Sequence, residues 1–266
     1  MYPGAHAVST PDKPAALLHG TDEGLSYGQL EQRSLSLARA WYEAGLRPGD
    51  HVAMLAKNDL RCFEVYWAAM RSGLYLTAVN RHLSADEVAY IVDDCGASVL
   101  VVSAGLADLA EHIVPLTAQV RVRLAFDGPV GSYSSYEQLR DAASTVPLPR
   151  QPRGADMLYS SGTTGRPKGI KPSLPDGEVH EVADSLVHLS KAAWGCGPDT
   201  VYLSPAPIYH AAPLRTAAAV QALGGTVVLM ERFDAESALE AVQRHHVTHS
   251  QWVPTMFVRM LKLPEA

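Results

Sequence analysis

Between Ser26 and Gly45 the apolar positions recur at helical spacing, with Leu30, Leu37 and Trp41 on one face. Ser26 and Gln29 stand three residues apart at the start, the pattern of a capping box, and Gly45 supplies a left-handed stop. HVAMLA, from His51, predicts a buried strand. A second helix is expected over 60–72, ending at Gly73, and the short strand LTAV follows it. A third begins at Ser84, where Glu87 completes another capping box, and ends before Gly96. SVLVV from Ser98 and VRVRLAF from Val120 predict further strands, with the β-branched content of a sheet covered by helices.

The stretch STVPLPRQPRG, Ser144 to Gly154, holds three prolines and a glycine and can continue neither kind of element. A subdomain boundary is expected there, with residues 1–150 before it and 151–266 after it. Beyond it the pattern predicts a strand over 156–160, a helix over 179–193, a strand at VYLS and a helix over 214–223. GTVVLM then reads as a strand, Asp234 caps a helix running to His246, and Pro254 opens a last one. Alternation of this kind implies an α/β fold of mostly parallel sheets flanked by helices.

A composition 47% hydrophobic and 19% charged over 266 residues allows one large core or two modest ones, and so a folded, soluble protein. The formal charge of −6 is spread along the chain, which argues against nucleic acid or an anionic membrane surface as a partner. Cys62, Cys95 and Cys196 lie far apart without the pairing of zinc or disulfide frameworks, as expected of free thiols in a cytoplasmic protein. The N-terminus lacks a secretory pattern. The longest uncharged apolar run, between Arg215 and Glu231, falls short of the ~18 residues of a transmembrane segment. His245 and His246 close a predicted helix, where imidazoles suit the negative end of the dipole, so no metal is needed to explain them.

One segment stands apart. YSSGTTGRPKG, Tyr159 to Gly169, packs five hydroxyl side chains, three glycines and a lysine into one loop. Gly162, Gly165 and Gly169 permit backbone angles through which N–H groups converge on an anion. Ser160, Ser161, Thr163 and Thr164 add hydroxyl donors, and Lys168 adds a full positive charge suited to polyphosphate. It is not a Walker loop: Arg166 and Pro167 separate Gly165 from Lys168, and Gly169 follows the lysine instead of a hydroxyl residue. IKPSLPDG, next in the chain, should not be helical. A nucleotide-hydrolysing switch, which needs a Walker loop and a paired acidic strand, is therefore disfavoured.

YSSGTTGRPKG resembles the signature loop of the adenylate-forming superfamily of acyl-CoA synthetases, peptide-synthetase adenylation domains and luciferases. LSYGQLEQRSLSLARAWYEAGLRPGDHVAMLAKN, MRSGLYLTAVNRHLSADEVAYIVDD and LSPAPIYHAAPL are similar to further segments of that family. The resemblance implies a two-step ligase. A carboxylate attacks the α-phosphate of ATP, magnesium pyrophosphate leaves, and the thiol of coenzyme A takes the acyl group. Ser160, Ser161, Gly162, Thr163, Thr164 and Gly165 would wrap the phosphates, with Gly169 closing the loop and Lys168 as the catalytic cation that neutralises departing charge. The resemblance places His210 beside the substrate carboxylate, Ala212 in the acyl pocket where its small size leaves room, and Trp252 on the pocket wall, although core packing explains Trp252 equally well.

Relatives run to about twice this length. The adenine-stacking segment, the magnesium-binding acidic residue, the ribose aspartate and the lid lysine of the family cannot be placed on this sequence. The chain is expected to be the N-terminal part of a ligase for a hydrophobic carboxylic acid, inefficient by itself, with room left for a homodimer. A ligase loading a carrier protein, or a non-catalytic module that keeps the phosphate loop, are the alternatives.

Overall fold

The computed structural model describes residues 1–160 and 166–264. Contacts divide the chain into two compact units. The first comprises Met1–Glu31, Asn58–Leu60 and Ala183–Ala266, and the second Gln32–Lys57 and Arg61–Val182.

The second unit is built on a six-stranded, wholly parallel sheet. Its order is Ser134–Ser135, Val122–Phe126, Ala97–Ser103, His51–Leu55, Tyr75–Ala78 and Ala155–Asp156. Parallel neighbours need long crossovers. The helices Arg61–Met70, Ala85–Asp94 and Ala107–Ile113 lie in the connections between successive strands from His51–Leu55 to Val122–Phe126, and Tyr136–Ala142 follows the edge strand Ser134–Ser135. The central strand His51–Leu55 is buried along its whole length, as its continuous apolar run requires. Both capping boxes form: Ser26 exchanges hydrogen bonds with Gln29, and Ser84 with Glu87. Each cap contributes roughly 1 kcal/mol to its helix.

The first unit carries a five-stranded sheet in the order His249–Ser250, Val201–Ser204, Thr226–Leu229, Pro14–Leu18 and Gly24–Ser26. All neighbours are parallel except the last pair, an antiparallel edge. The strand Pro14–Leu18, which periodicity does not reveal, thus pairs on one side with Gly24–Ser26 and on the other with the sequence-distant Thr226–Leu229. Tyr27 adds a second tie by donating its hydroxyl proton to the Gly225 carbonyl at 2.6 Å.

This division differs from a break at 144–154. The first 31 residues group with the end of the chain, and the segment after Ser144 continues the six-stranded sheet. The Gly154 amide bonds the Met70 carbonyl, and the Ala155 and Met157 amides bond those of Leu74 and Leu76. A Cβ at Gly154 would lie 2.4 Å from the Leu74 carbonyl oxygen, so only glycine permits this approach. The helix expected over 179–193 is also corrected. It runs Ser185–Trp194, because the Asp184 side chain caps it by accepting from the Leu186 amide, while 179–182 form a turn on Glu178. Among the described residues no helix is long and apolar enough to cross a membrane.

A buried carboxylate organises the second unit. Glu64 is fully buried. Its Oε1 accepts from Arg33, and its Oε2 accepts from Arg140 and from the Tyr136 hydroxyl, each at 2.9 Å. Burial, reinforced by the neighbouring carboxylate, pushes the Tyr136 hydroxyl well above its ordinary pKa, so it stays a donor. Truncating such a carboxylate strands its partners. Glu64→Ala is expected to cost about 3 kcal/mol in urea unfolding; a loss below about 1 kcal/mol would show that Glu64 is dispensable to the fold.

Candidate phosphate loop and acyl cavity

The two stems of the hydroxyl loop, Leu158–Ser160 and Lys168–Ile170, pair as an antiparallel ladder with Lys168 opposite Ser160, Gly169 opposite Tyr159 and Ile170 opposite Leu158. Directly opposed residues in such a ladder share a face. An ammonium and a hydroxyl therefore stand side by side at the mouth of the loop, both solvent-exposed. Ser161, Gly162, Thr163, Thr164 and Gly165 lie outside the described residues.

A ladder of three pairs is marginal alone, and side chains of the second unit hold it in place. The Tyr159 hydroxyl donates to the Asp94 carboxylate at 2.5 Å, at the end of the helix Ala85–Asp94. Desolvation, then that carboxylate, holds the tyrosine's pKa far above its usual value, so the proton stays on oxygen. The Arg166 guanidinium lies 5.0 Å from the centroid of the Tyr90 ring, one turn earlier on the same helix. Thr77 Oγ1 donates to the Met157 carbonyl at 3.0 Å. Past the ladder, the Tyr75 hydroxyl donates to the Pro172 carbonyl at 2.7 Å, and Lys171 Nζ donates to His51 Nε2 at 2.9 Å. The His51 ring stacks on Tyr75, centroids 4.6 Å apart.

The first unit holds the other candidates. His210, Ala212 and Trp252 come together on the wall of one cavity of about 310 Å³. His210 occupies the N-cap position of the helix Ala211–Ala222, and Ala212 and Pro213 of its first turn also face the cavity. Burial holds the His210 pKa below the ordinary histidine value, which favours the neutral ring. Trp252 both lines the cavity and packs between Phe233 and Phe257, with ring centroids 6.2 and 6.1 Å away. The loop Pro205–His210 is fixed by Asn58. Its Oδ1 accepts from the Ile208 amide at 2.9 Å, and its Nδ2 donates to the carbonyls of Ala206 and Met230 at 3.1 and 2.8 Å.

The profile of a family described as AMP-binding enzyme matches residues 5–266. The chain belongs to that family. It is 34% identical over 262 residues to a feruloyl-CoA synthase of an Amycolatopsis species, covering 96% of this chain and 48% of that protein. It is 30% identical to a fatty acid–[acyl-carrier-protein] ligase, ScoC, of Streptomyces coeruleorubidus, covering 97% of this chain and 48% of the other. Among solved structures, MbtA of Mycobacterium smegmatis superposes with a TM-score of 0.81 at 25% identity, covering 97% of this chain and 48% of that one. The chain thus spans about half the length of the curated relatives it matches, which are acyl-CoA and acyl-carrier-protein ligases.

In this member of the family, the residues that position the candidate site escape a reading by motif. Asp94 and Tyr90 carry the only legible hint, an i, i+4 polar pair on a capped helix. Asn58, His51 and Lys171 are joined to partners 120 or more residues away. No cluster of three His, Cys, Asp or Glu able to hold a metal occurs among the described residues.

Two outcomes test this geometry. Asn58→Ala leaves the Ile208 amide, the buried Met230 carbonyl and the part-buried Ala206 carbonyl without their side-chain partner, and should cost about 2 kcal/mol while accelerating hydrogen exchange at Ile208. Unchanged exchange would show that Asn58 does not hold the loop. For His51, desolvation and then Lys171 lower the pKa from 6.5 to about 4. The folded state therefore binds fewer protons than the unfolded chain between those values. Stability from this group is complete above pH 6.5 and declines as pH falls toward about 4. Urea midpoints taken across that window should slope less in His51→Gln than in the parent; equal slopes would refute the assignment.

Proposed function

We propose that this chain is the phosphate- and acyl-holding part of an AMP-forming acid–thiol ligase. The observation that carries the reading is the ladder register that sets Lys168 beside Ser160 at the mouth of YSSGTTGRPKG, in a chain matched by the AMP-binding family over 5–266. Ser160, Ser161, Gly162, Thr163, Thr164, Gly165 and Gly169 surround the β- and γ-phosphates of magnesium-bound ATP. Lys168 balances the charge that collects on the leaving pyrophosphate. The acid occupies the cavity of His210, Ala212 and Trp252. Its carboxylate oxygen bonds the α-phosphorus as the bond to the β-phosphate breaks. The thiol of coenzyme A then bonds the acyl carbon, AMP leaves, and the thiol proton passes to solvent. The buried thiols of Cys95 and Cys196 suit a cytoplasmic setting.

The similarity to a carrier-protein ligase favours one second reading, in which the accepting thiol belongs to a carrier protein instead of coenzyme A.

The test is calorimetric titration of MgATP and of tripolyphosphate into the 266-residue chain and into Lys168→Met. Loss of one charge-assisted contact should weaken both ligands by about tenfold. Equal affinity in the variant, or no affinity in the parent, would remove the phosphate role.

A further inference from the structure

We infer that the acid this chain activates carries an oxygen substituent on its body, several bonds from the carboxylate, and that Tyr202, Ser204 and Gln251 read it. The inference rests on the ligase reading above and specifies its substrate class.

Along the strand Val201–Ser204 successive side chains alternate between faces. Leu203 points into the cluster of Val228, Met230, Ala238 and Ala241. Tyr202 and Ser204 take the opposite face, and both line the cavity of His210 and Trp252. Tyr202 and Gln251 also line a second cavity of about 430 Å³, whose wall includes Trp194, Cys196 and Thr216. The two cavities therefore adjoin at Tyr202 and Gln251. A ligand with its carboxylate at His210 and its body reaching the second cavity must pass that collar.

Unused hydrogen-bonding capacity lies at this collar and next to it, on the first cavity's wall at Ser204. Ser204 is fully buried, and its hydroxyl has no partner among the described residues. Tyr202 is buried and hydrogen-bonded by Thr216, and desolvation raises its pKa far above the usual value, so its own proton stays available to donate. The Gln251 amide, with donors and an acceptor, lies beside them. The second cavity's remaining polar groups are already engaged. His249 uses one ring nitrogen with the Trp194 carbonyl and the other with Thr248, each at 2.8 Å, and Thr248 also bonds the Val201 backbone. A hydrocarbon body would leave the Ser204 hydroxyl buried and unpaired, which is costly, whereas a hydroxyl, ether or carbonyl oxygen would pair with it. The matching class is a hydroxylated or alkoxylated aryl or alicyclic acid, in preference to a saturated acyl chain.

Trp252 and Trp194 stand on the walls of the two cavities, so intrinsic fluorescence reports binding. The probes are cinnamate, 4-hydroxycinnamate and decanoate, titrated into the 266-residue chain. 4-Hydroxycinnamate should bind at least about tenfold tighter than cinnamate. Ser204→Ala, Tyr202→Phe and the exposed Gln251→Leu should each reduce that ratio to about threefold or less. Circular dichroism melts confirm that each variant is folded. Equal binding of the two cinnamates, or decanoate binding more tightly than either, overturns the inference and leaves the ligase reading intact. Failure of all three acids to bind removes the acyl-cavity assignment and the inference with it.

Discussion

A loop rich in glycine and hydroxyl residues presents donors to an anion only if both of its ends are held, since glycine permits too many conformations to hold itself. Here the ends are fastened by a three-pair ladder and by side chains reaching it from the sheet and one helix. Tyr159 to Asp94 holds the first stem, and Arg166, two residues ahead of the second, lies over the Tyr90 ring. Thr77, Tyr75 and His51 fix the segments flanking the ladder, through Met157, Pro172 and Lys171. The six-stranded parallel sheet matters to the candidate site because these ties run to it.

Two titratable groups illustrate opposite ways of burying polarity in that unit. Glu64 satisfies both carboxylate oxygens with two guanidinium groups and a phenol. His51 instead meets Lys171 as a neutral ring, because a second positive charge at 2.9 Å from the ammonium would be both desolvated and repelled. The first arrangement stabilises a fold through paired charge. The second lets a neutral ring accept from Lys171, beside the Tyr75 bond to Pro172, in the segment that follows the candidate loop.

Much of the architecture was legible in the sequence where local signals are strong. Both capping boxes, the glycine stops at Gly45, Gly73 and Gly96 and the buried run at His51 all appear in the structure close to where periodicity puts them. Local pattern failed where tertiary pairing decides. Pro14–Leu18 is short and opens with proline, yet it becomes a strand because Thr226–Leu229 lies alongside it. Lys168–Ile170 has little β-propensity of its own and is a strand only through Leu158–Ser160. Val179 and Val182 mimic a helical face, but the Asp184 cap delays the helix. His210, Ala212 and Trp252 were named through family resemblance and converge on one cavity. Asn58 and Asp94 could not be named, because a side-chain bond spanning 65 or more residues leaves no local trace.

The cavity's polarity follows from how its helix begins. His210 stands at the N-cap of Ala211–Ala222 without capping it through its side chain, and Pro213 brings no amide proton. The first turn therefore presents a partial positive charge with few internal acceptors, beside a ring that burial keeps neutral. An anionic group placed at that end under the proposed reading would meet the amides and a ring that does not repel it. Toward Trp252 the lining turns aromatic, and toward Tyr202 and Ser204 it offers hydroxyls. That gradient depends on the backbone of Pro205–His210 keeping its course, and the three hydrogen bonds of Asn58 are what hold it there. A buried amide thus sets the course of the backbone that carries His210 to the cavity wall.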